Sequence, residues 1–96
     1  MAPTDKEAGE EQILRVSASS SATSLASAIS HAVYDSKKVT LRAIGAGAVN
    51  QAVKAVAIAQ SFVGQRGISL LVRPGFTTVK MKDAEVSAII LKIFTD

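Results

Sequence analysis

The chain has 96 residues, no cysteine and a net charge of +3. That length allows one domain, whose core buries only about 60–65% of the unfolded surface. The missing thiols exclude disulfide staples and thiolate-held metal. No apolar run reaches the ~18 residues of a membrane-spanning helix, and the N-terminus lacks the basic-then-apolar pattern of a secretory signal, so a cytoplasmic protein is expected. The charge is divided. Residues 1–12 hold Asp5, Glu7, Glu10 and Glu11 against Lys6, a net of −3, and the remainder holds ten Lys/Arg against four acids, a net of +6. A basic body of this size attracts nucleic acid or another polyanion.

In chain order, residues 1–12 are polar and aperiodic and are expected to form a disordered acidic tail, with one domain over residues 13–96. Ile13-Leu14-Arg15-Val16-Ser17 alternates as a strand does. Ser19, Ser20 and Ser21 supply helix N-cap candidates. Leu25, Ala28, Ile29, Ala32 and Val33 then mark one face of a helix ending near Asp35. Residues 39–44 read as a second strand, with Val39, Leu41 and Ala43 on one face.

Gly45-Ala46-Gly47 turns the chain into a long alanine-rich helix, alanine being the best helix former. Its predicted buried face is Val49, Ala52, Val53, Val56, Ala59 and Val63, with Asn50, Lys54, Ala57 and Ser61 opposite and Ile58 beside that polar stripe. Residues 64–67 end this helix. Residues 69–73 read as a third strand stopped by Pro74-Gly75, residues 76–82 as an extended arm, and residues 86–94 as a fourth strand that turns Ile89, Leu91 and Ile93 towards the helices.

The order is βαβαββ. A helical crossover makes the first two strands parallel, and its right-handedness puts both helices on one face. The fold class is therefore α/β, a two-layer sandwich.

Two chemical consequences follow. Both helices start at the carboxyl edge of parallel strands, where free N–H groups and helix dipoles favour anions. Ser19, Ser20, Ser21, Gly45, Gly47 and Asn50 are the candidate anion-binding residues. Asn50 occupies the third-glycine position of G-x-G-x-x-G and no G-K-[ST] is present, so a nucleotide-binding loop is not supported.

The strand face turned away from the helices carries Arg15, Arg42, Arg73 and Lys92 among Ile13, Thr40, Ile44, Leu71, Ala88 and Ile90. A fully solvated face would hold fewer aliphatics, so cover by a partner subunit or a polyanion is expected. Arg42, Lys54, Arg73, Lys80 and Lys82 are the candidate nucleic-acid contacts, the last two on a basic arm able to track phosphates. Interleaved aromatics are scarce, with Phe76 the only candidate near the arm. His31 is the single histidine and falls on a polar helix face; no nucleophile or metal-ligand cluster accompanies it. No enzyme activity and no cofactor is expected.

The segment from Ala43 through Gly45, Gly47, Asn50, Gln51 and Lys54 to Ala59 closely resembles the signature of the bacterial stage V sporulation protein S family. Leu14-Arg15-Val16-Ser17-Ala18 resembles that family's first strand, and Pro74-Gly75-Phe76-Thr77 its proline-containing strand end. The resemblance implies an Alba-like fold with a mixed four-stranded sheet in the order 1-2-4-3, binding to DNA or RNA, a homodimer or homotetramer, and a role in regulating sporulation or septation. Family members often carry lysine at the position of Ser19, and proline and asparagine at those of Ala22 and Thr23. Here that loop is all hydroxyl, which implies weak, sequence-independent binding. The competing expectations are an oligomeric interaction module without nucleic-acid binding and a small-anion-binding domain.

Overall fold

The computed structural model describes residues 11–96. Seven elements follow one another: β1 (Glu11–Val16), α1 (Ala22–Tyr34), β2 (Lys38–Ala43), α2 (Ala46–Val63), a 3₁₀ turn (Gly64–Arg66), β3 (Leu70–Met81) and β4 (Ala84–Thr95). The sheet order is β1-β2-β4-β3, with β1 and β2 parallel and the β2–β4 and β3–β4 pairs antiparallel. The domain measures 44 × 34 × 18 Å, thin along one axis as two layers require. The tail expected over residues 1–12 is corrected at its end, since Glu11 and Gln12 pair with Lys38 and Val39 as the start of β1. Residues 1–10 lie outside the described residues.

Local chemistry sets each boundary. The Ser21 hydroxyl caps α1, accepting the Ser24 N–H at 3.2 Å. The same helix closes with the Ser36 N–H bonded to the Val33 carbonyl and the Lys37 N–H bonded to the Ala32 carbonyl. That closure needs a left-handed residue, and Ser36 takes φ 60°. Gln60 joins the end of α2 to β3: its amide donates to the Ile68 carbonyl and its carbonyl accepts the Leu70 N–H.

The core lies between the sheet and the helices. Val39, Leu41 and Ala43 of β2 and Leu91 and Ile93 of β4 face it, as expected, with Ile29, Ala26 and Ala32 from α1. The buried face of α2 differs from expectation. It is Ala48, Ala52, Ala55, Ala59 and Val63, whereas Val53 is 53% exposed and Val49 and Val56 pack only at the margin. The helix lies against both the sheet and α1. The smallest side chains therefore occupy the tightest line, and the valines border it.

β3 also differs. Pro74 does not stop it: the strand runs unbroken from Leu70 to Met81, with Pro74 opposite Leu91. Proline has no N–H for a ladder, and an edge strand tolerates it because one side faces no neighbour. β2 reaches only as far as Ile89 on β4. Residues 77–81 and 84–88 therefore pair only with each other and form a two-stranded arm. The arm turns through Lys82 and Asp83, with Lys82 at φ 50°.

The positive φ at Lys82 strains a side-chain-bearing residue. Lys82→Gly is expected to raise the unfolding free energy by about 0.5–1 kcal/mol after the entropy cost of glycine is included. Leu41→Ala, at a position with no solvent exposure, is expected to lower it by about 2–5 kcal/mol. Urea unfolding of the two variants checks both, and a lower midpoint for Lys82→Gly would show that the turn is not strained.

Candidate nucleic-acid interface

The register fixes which side chains share the face opposite the helices. Glu11, Ile13 and Arg15 of β1 stand beside Lys38, Thr40 and Arg42 of β2. Thr40 and Arg42 stand beside Lys92 and Ile90 of β4, which in turn face Arg73 and Gly75 of β3. Arg15 is thus directly beside Arg42, and Lys92 directly beside Arg73, each pair separated by about one strand spacing of 4.8 Å. Glu11 brings a carboxylate to this face, where its Oε2 accepts a hydrogen bond from the Thr40 hydroxyl at 3.1 Å, and Asp96, whose N–H bonds the Ser69 carbonyl, follows Phe94 at the same parity.

Among the described residues no second layer covers this side of the sheet, but the long side chains shelter its middle. Thr40 is 6% exposed there and Arg42, Ile90 and Lys92 are half-buried; Ala88, where the arm leaves the sheet, is fully buried. Apolar surface is open at the rim, where Ile13 is 58%, Leu71 54% and Phe94 43% exposed. The Arg73 guanidinium lies 5.2 Å from the centre of the Phe94 ring. A depression of about 260 Å³ opens on this face, bounded by Thr40, Arg73, Lys92 and Phe94. Phe94 is an aromatic of this face that the sequence expectation, confined to Phe76 near the arm, does not include. Strand parity beside Ile93 was the signal that could have found it.

The remaining candidate contacts are not brought into that patch. Lys54 is exposed on α2, in the helix layer on the other side of the sheet. Lys80 stands opposite Glu85 in the arm, and Lys82 sits in its turn. Of the five candidates, only Arg42 and Arg73 share a face, and their neighbours there are Arg15 and Lys92.

The candidate anion edge is assembled in space. Gly47 lies so close to the β1–α1 loop that a Cβ built on it would sit 2.9 Å from the Ala18 Cβ. The Gln51 side-chain amide donates to the Ser20 carbonyl at 2.8 Å. Ser19, Ser20 and Ser21 therefore meet Gly45, Gly47 and Asn50 at one edge. Much of the polar capacity is used internally. The Ser20 hydroxyl accepts the Ser17 N–H, the Ser19 and Ser17 hydroxyls are 3.1 Å apart, Ser21 caps α1, and the Asn50 amide donates to the Gln51 side chain. The α2 terminus is different. Its N-cap is Gly45, at φ 93° and ψ 157°, with no side chain to bond the first N–H groups and no acid in the first turn. That backbone conformation is essentially restricted to glycine.

His31 is exposed on α1. Among the described residues, no three of His, Cys, Asp and Glu converge on a point that could hold a metal ion, and no helix is long and apolar enough to cross a membrane.

A one-sided βαβαββ sandwich with a protruding β3–β4 arm defines an Alba-fold protein. Alba from Thermoplasma volcanium matches it with a TM-score of 0.60 over 88% of this chain and 99% of that one, at 15% identity. The model of the family Stage V sporulation protein S (SpoVS) matches residues 12–96, and the chain belongs to that family. The family and the fold are non-enzymatic kinds of protein.

The Gly47–Ala18 approach is testable. Gly47→Ala is expected to destabilise the fold by about 1 kcal/mol, because overpacking at 2.9 Å outweighs the ~1 kcal/mol that alanine gains in helix propensity. Ala18→Gly in the same chain is expected to recover stability. A Gly47→Ala variant as stable as the parent would show that the loop yields freely.

Proposed function

We propose that this is a small, cytoplasmic, oligomeric regulatory protein that binds DNA or RNA weakly and without sequence preference. The observation that carries the reading is the one-sided charge: among the described residues Arg15, Arg42, Arg73 and Lys92 share a sheet face on which cations outnumber carboxylates. Nucleic acid supplies the counter-charge, and affinity then comes chiefly from counterion release. The uncapped start of α2 offers a further site for a phosphate, and Lys54, Lys80 and Lys82 extend the positive surface beyond the sheet. Family membership supports the regulatory role. The hydroxyl-only loop at Ser19, Ser20 and Ser21 supports weak binding.

Oligomerisation is supported by apolar surface outside the charged face, with Phe76 70% and Val53 53% exposed. These positions also favour the second reading, a protein-interaction module. Sedimentation at high micromolar concentration is expected to show at least a dimer; a 10 kDa species there would exclude it. Val53→Lys, on the exposed side of α2, is expected to weaken assembly where that helix forms the contact; Ile58 is unsuitable as a probe because it packs against the core.

Titration of duplex DNA at several salt concentrations is expected to give a log–log slope of roughly 2–4 per protomer, each neutralised phosphate contributing about 0.9. Removing residues 1–10, with their net acidic charge, is expected to tighten binding if they compete for the basic surface. Absence of binding at low salt by the shortened protein, to duplex and single strand alike, would leave the interaction module as the reading.

A further inference from the structure

We propose that the open sheet face is a platform for single-stranded nucleic acid. Arg15, Arg42, Arg73 and Lys92 take its phosphates, and the Phe94–Arg73 pair takes the flat face of a base. The proposal rests on the nucleic-acid reading above and narrows it to a site and a strandedness.

Like charges directly opposite one another on a sheet are destabilising. This face places two such pairs in register, Arg15 with Arg42 and Arg73 with Lys92. Glu11 is bonded to Thr40 at the far end of β1 from Arg15. The pairs lie in a diagonal band across all four strands; the Glu11 carboxylate, held at Thr40 beside Lys92, reaches only its margin, and a bound polyanion relieves both repulsions at once. A second copy of the chain stacked on the same face would instead set these cations against their own copies.

The apolar groups decide the strandedness. Ile13, Leu71 and Phe94 are the most exposed apolar side chains of the face within the four-stranded part of the sheet; along its own strand each stands two residues from a cation, Arg15, Arg73 and Lys92 respectively, and Leu71 is paired with Phe94. A duplex presents phosphates to such a surface and leaves these groups unpaired. A single strand presents base faces as well, and every base has a π-face to stack on an aromatic ring or a guanidinium plane. Arg73 already lies over Phe94, so both stacking partners are held before the ligand arrives. The neighbouring depression of about 260 Å³, walled by Lys92, Lys38 and Thr40 with Glu11 bonded to Thr40 on one side, leaves room beside them.

The test compares a 15-nucleotide poly-dT or poly-U strand with a 15-base-pair duplex by fluorescence anisotropy, using the full chain at two salt concentrations. The parent protein is expected to bind the single strand at least 10-fold more tightly. Arg42→Gln with Arg73→Gln is expected to weaken it at least 10-fold and to lower the salt slope by about 1.4, at 0.7 per phosphate. Phe94→Leu, which keeps an apolar side chain, is expected to weaken it about 5-fold or more with the slope unchanged, a signature of lost stacking. Circular dichroism and urea unfolding verify that the variants fold. Photo-crosslinking of a 5-iodouracil strand to the parent protein locates the contact without any substitution, with adducts expected on β3 and β4 near Phe94.

Duplex bound as tightly as single strand overturns the proposal and leaves the nucleic-acid reading standing. So does loss of single-strand binding in Lys80→Gln with Lys82→Gln but not in the face variants, or crosslinks confined to the arm. Equal displacement of the strand by poly-glutamate at matched charge, with Phe94→Leu silent, reduces the face to a generic anion surface and overturns it too. No binding of any nucleic acid overturns both.

Discussion

The fold depends on how closely α2 can approach its neighbours. Ala48, Ala52, Ala55 and Ala59 form a line without solvent-accessible bulk. Along that line the helix lies against β1, β2 and α1 at once. Among the described residues Ile29, Leu41 and Val63 are the largest side chains that are fully enclosed. Such a core gains stability by excluding water from many small surfaces rather than by burying a few large ones. Each added methylene on the alanine line would push the two helices and the sheet apart together. The same closeness brings the start of α2 to Ala18, where Gly47 leaves no space for a side chain. The edge where both helices begin is therefore built by the same packing as the core.

Packing all the apolar bulk on one side leaves the other side of the sheet to its own residues. Four strands with alternating side chains send Val39, Leu41, Leu91 and Ile93 inward and Arg42, Ile90 and Lys92 outward. The outward set is half-sheltered by its own long stems and holds its charges at the surface. Core and candidate interface are two sides of one sheet, so a change of register in any strand would exchange them. The Alba fold fixes this architecture, and the chemistry of the face belongs to this chain.

Much of the architecture was legible because period-2 and period-3.6 patterns are strong here. β2, β4 and α1 show their inward residues directly, and the crossover rules place both helices on one side. The sheet order came from the family resemblance, not from periodicity. The phase of α2 is hidden from the sequence because valine outweighs alanine on any hydrophobic count, whereas the packing selects for size. Pro74 reads as a strand end because the edge position that tolerates proline is a property of the sheet. The first two residues of β1, Glu11 and Gln12, carry no apolar signal, and their strand character comes from pairing with β2. At the site, strand parity already put Arg15, Arg42, Arg73 and Lys92 on one face. Their side-by-side pairing was hidden, since register depends on the crossover and the hairpin rather than on either strand alone. Lys54, Lys80 and Lys82 shared only a sign of charge with that group.

Pro74 has a wider consequence. β3 is a twelve-residue outer strand, a length that ordinarily invites another chain to add itself and propagate into fibrils. Its free side must present the row of donors that such addition uses, and at Pro74, near the middle, that row has a gap. Leu71 and Arg73 lie just before the gap and Phe76 just after it, so an incoming strand would find its ladder broken where the apolar reward is greatest. Open-ended strand addition at this edge is thereby disfavoured, whereas contacts between copies that use side chains can close on themselves and stop at a defined number.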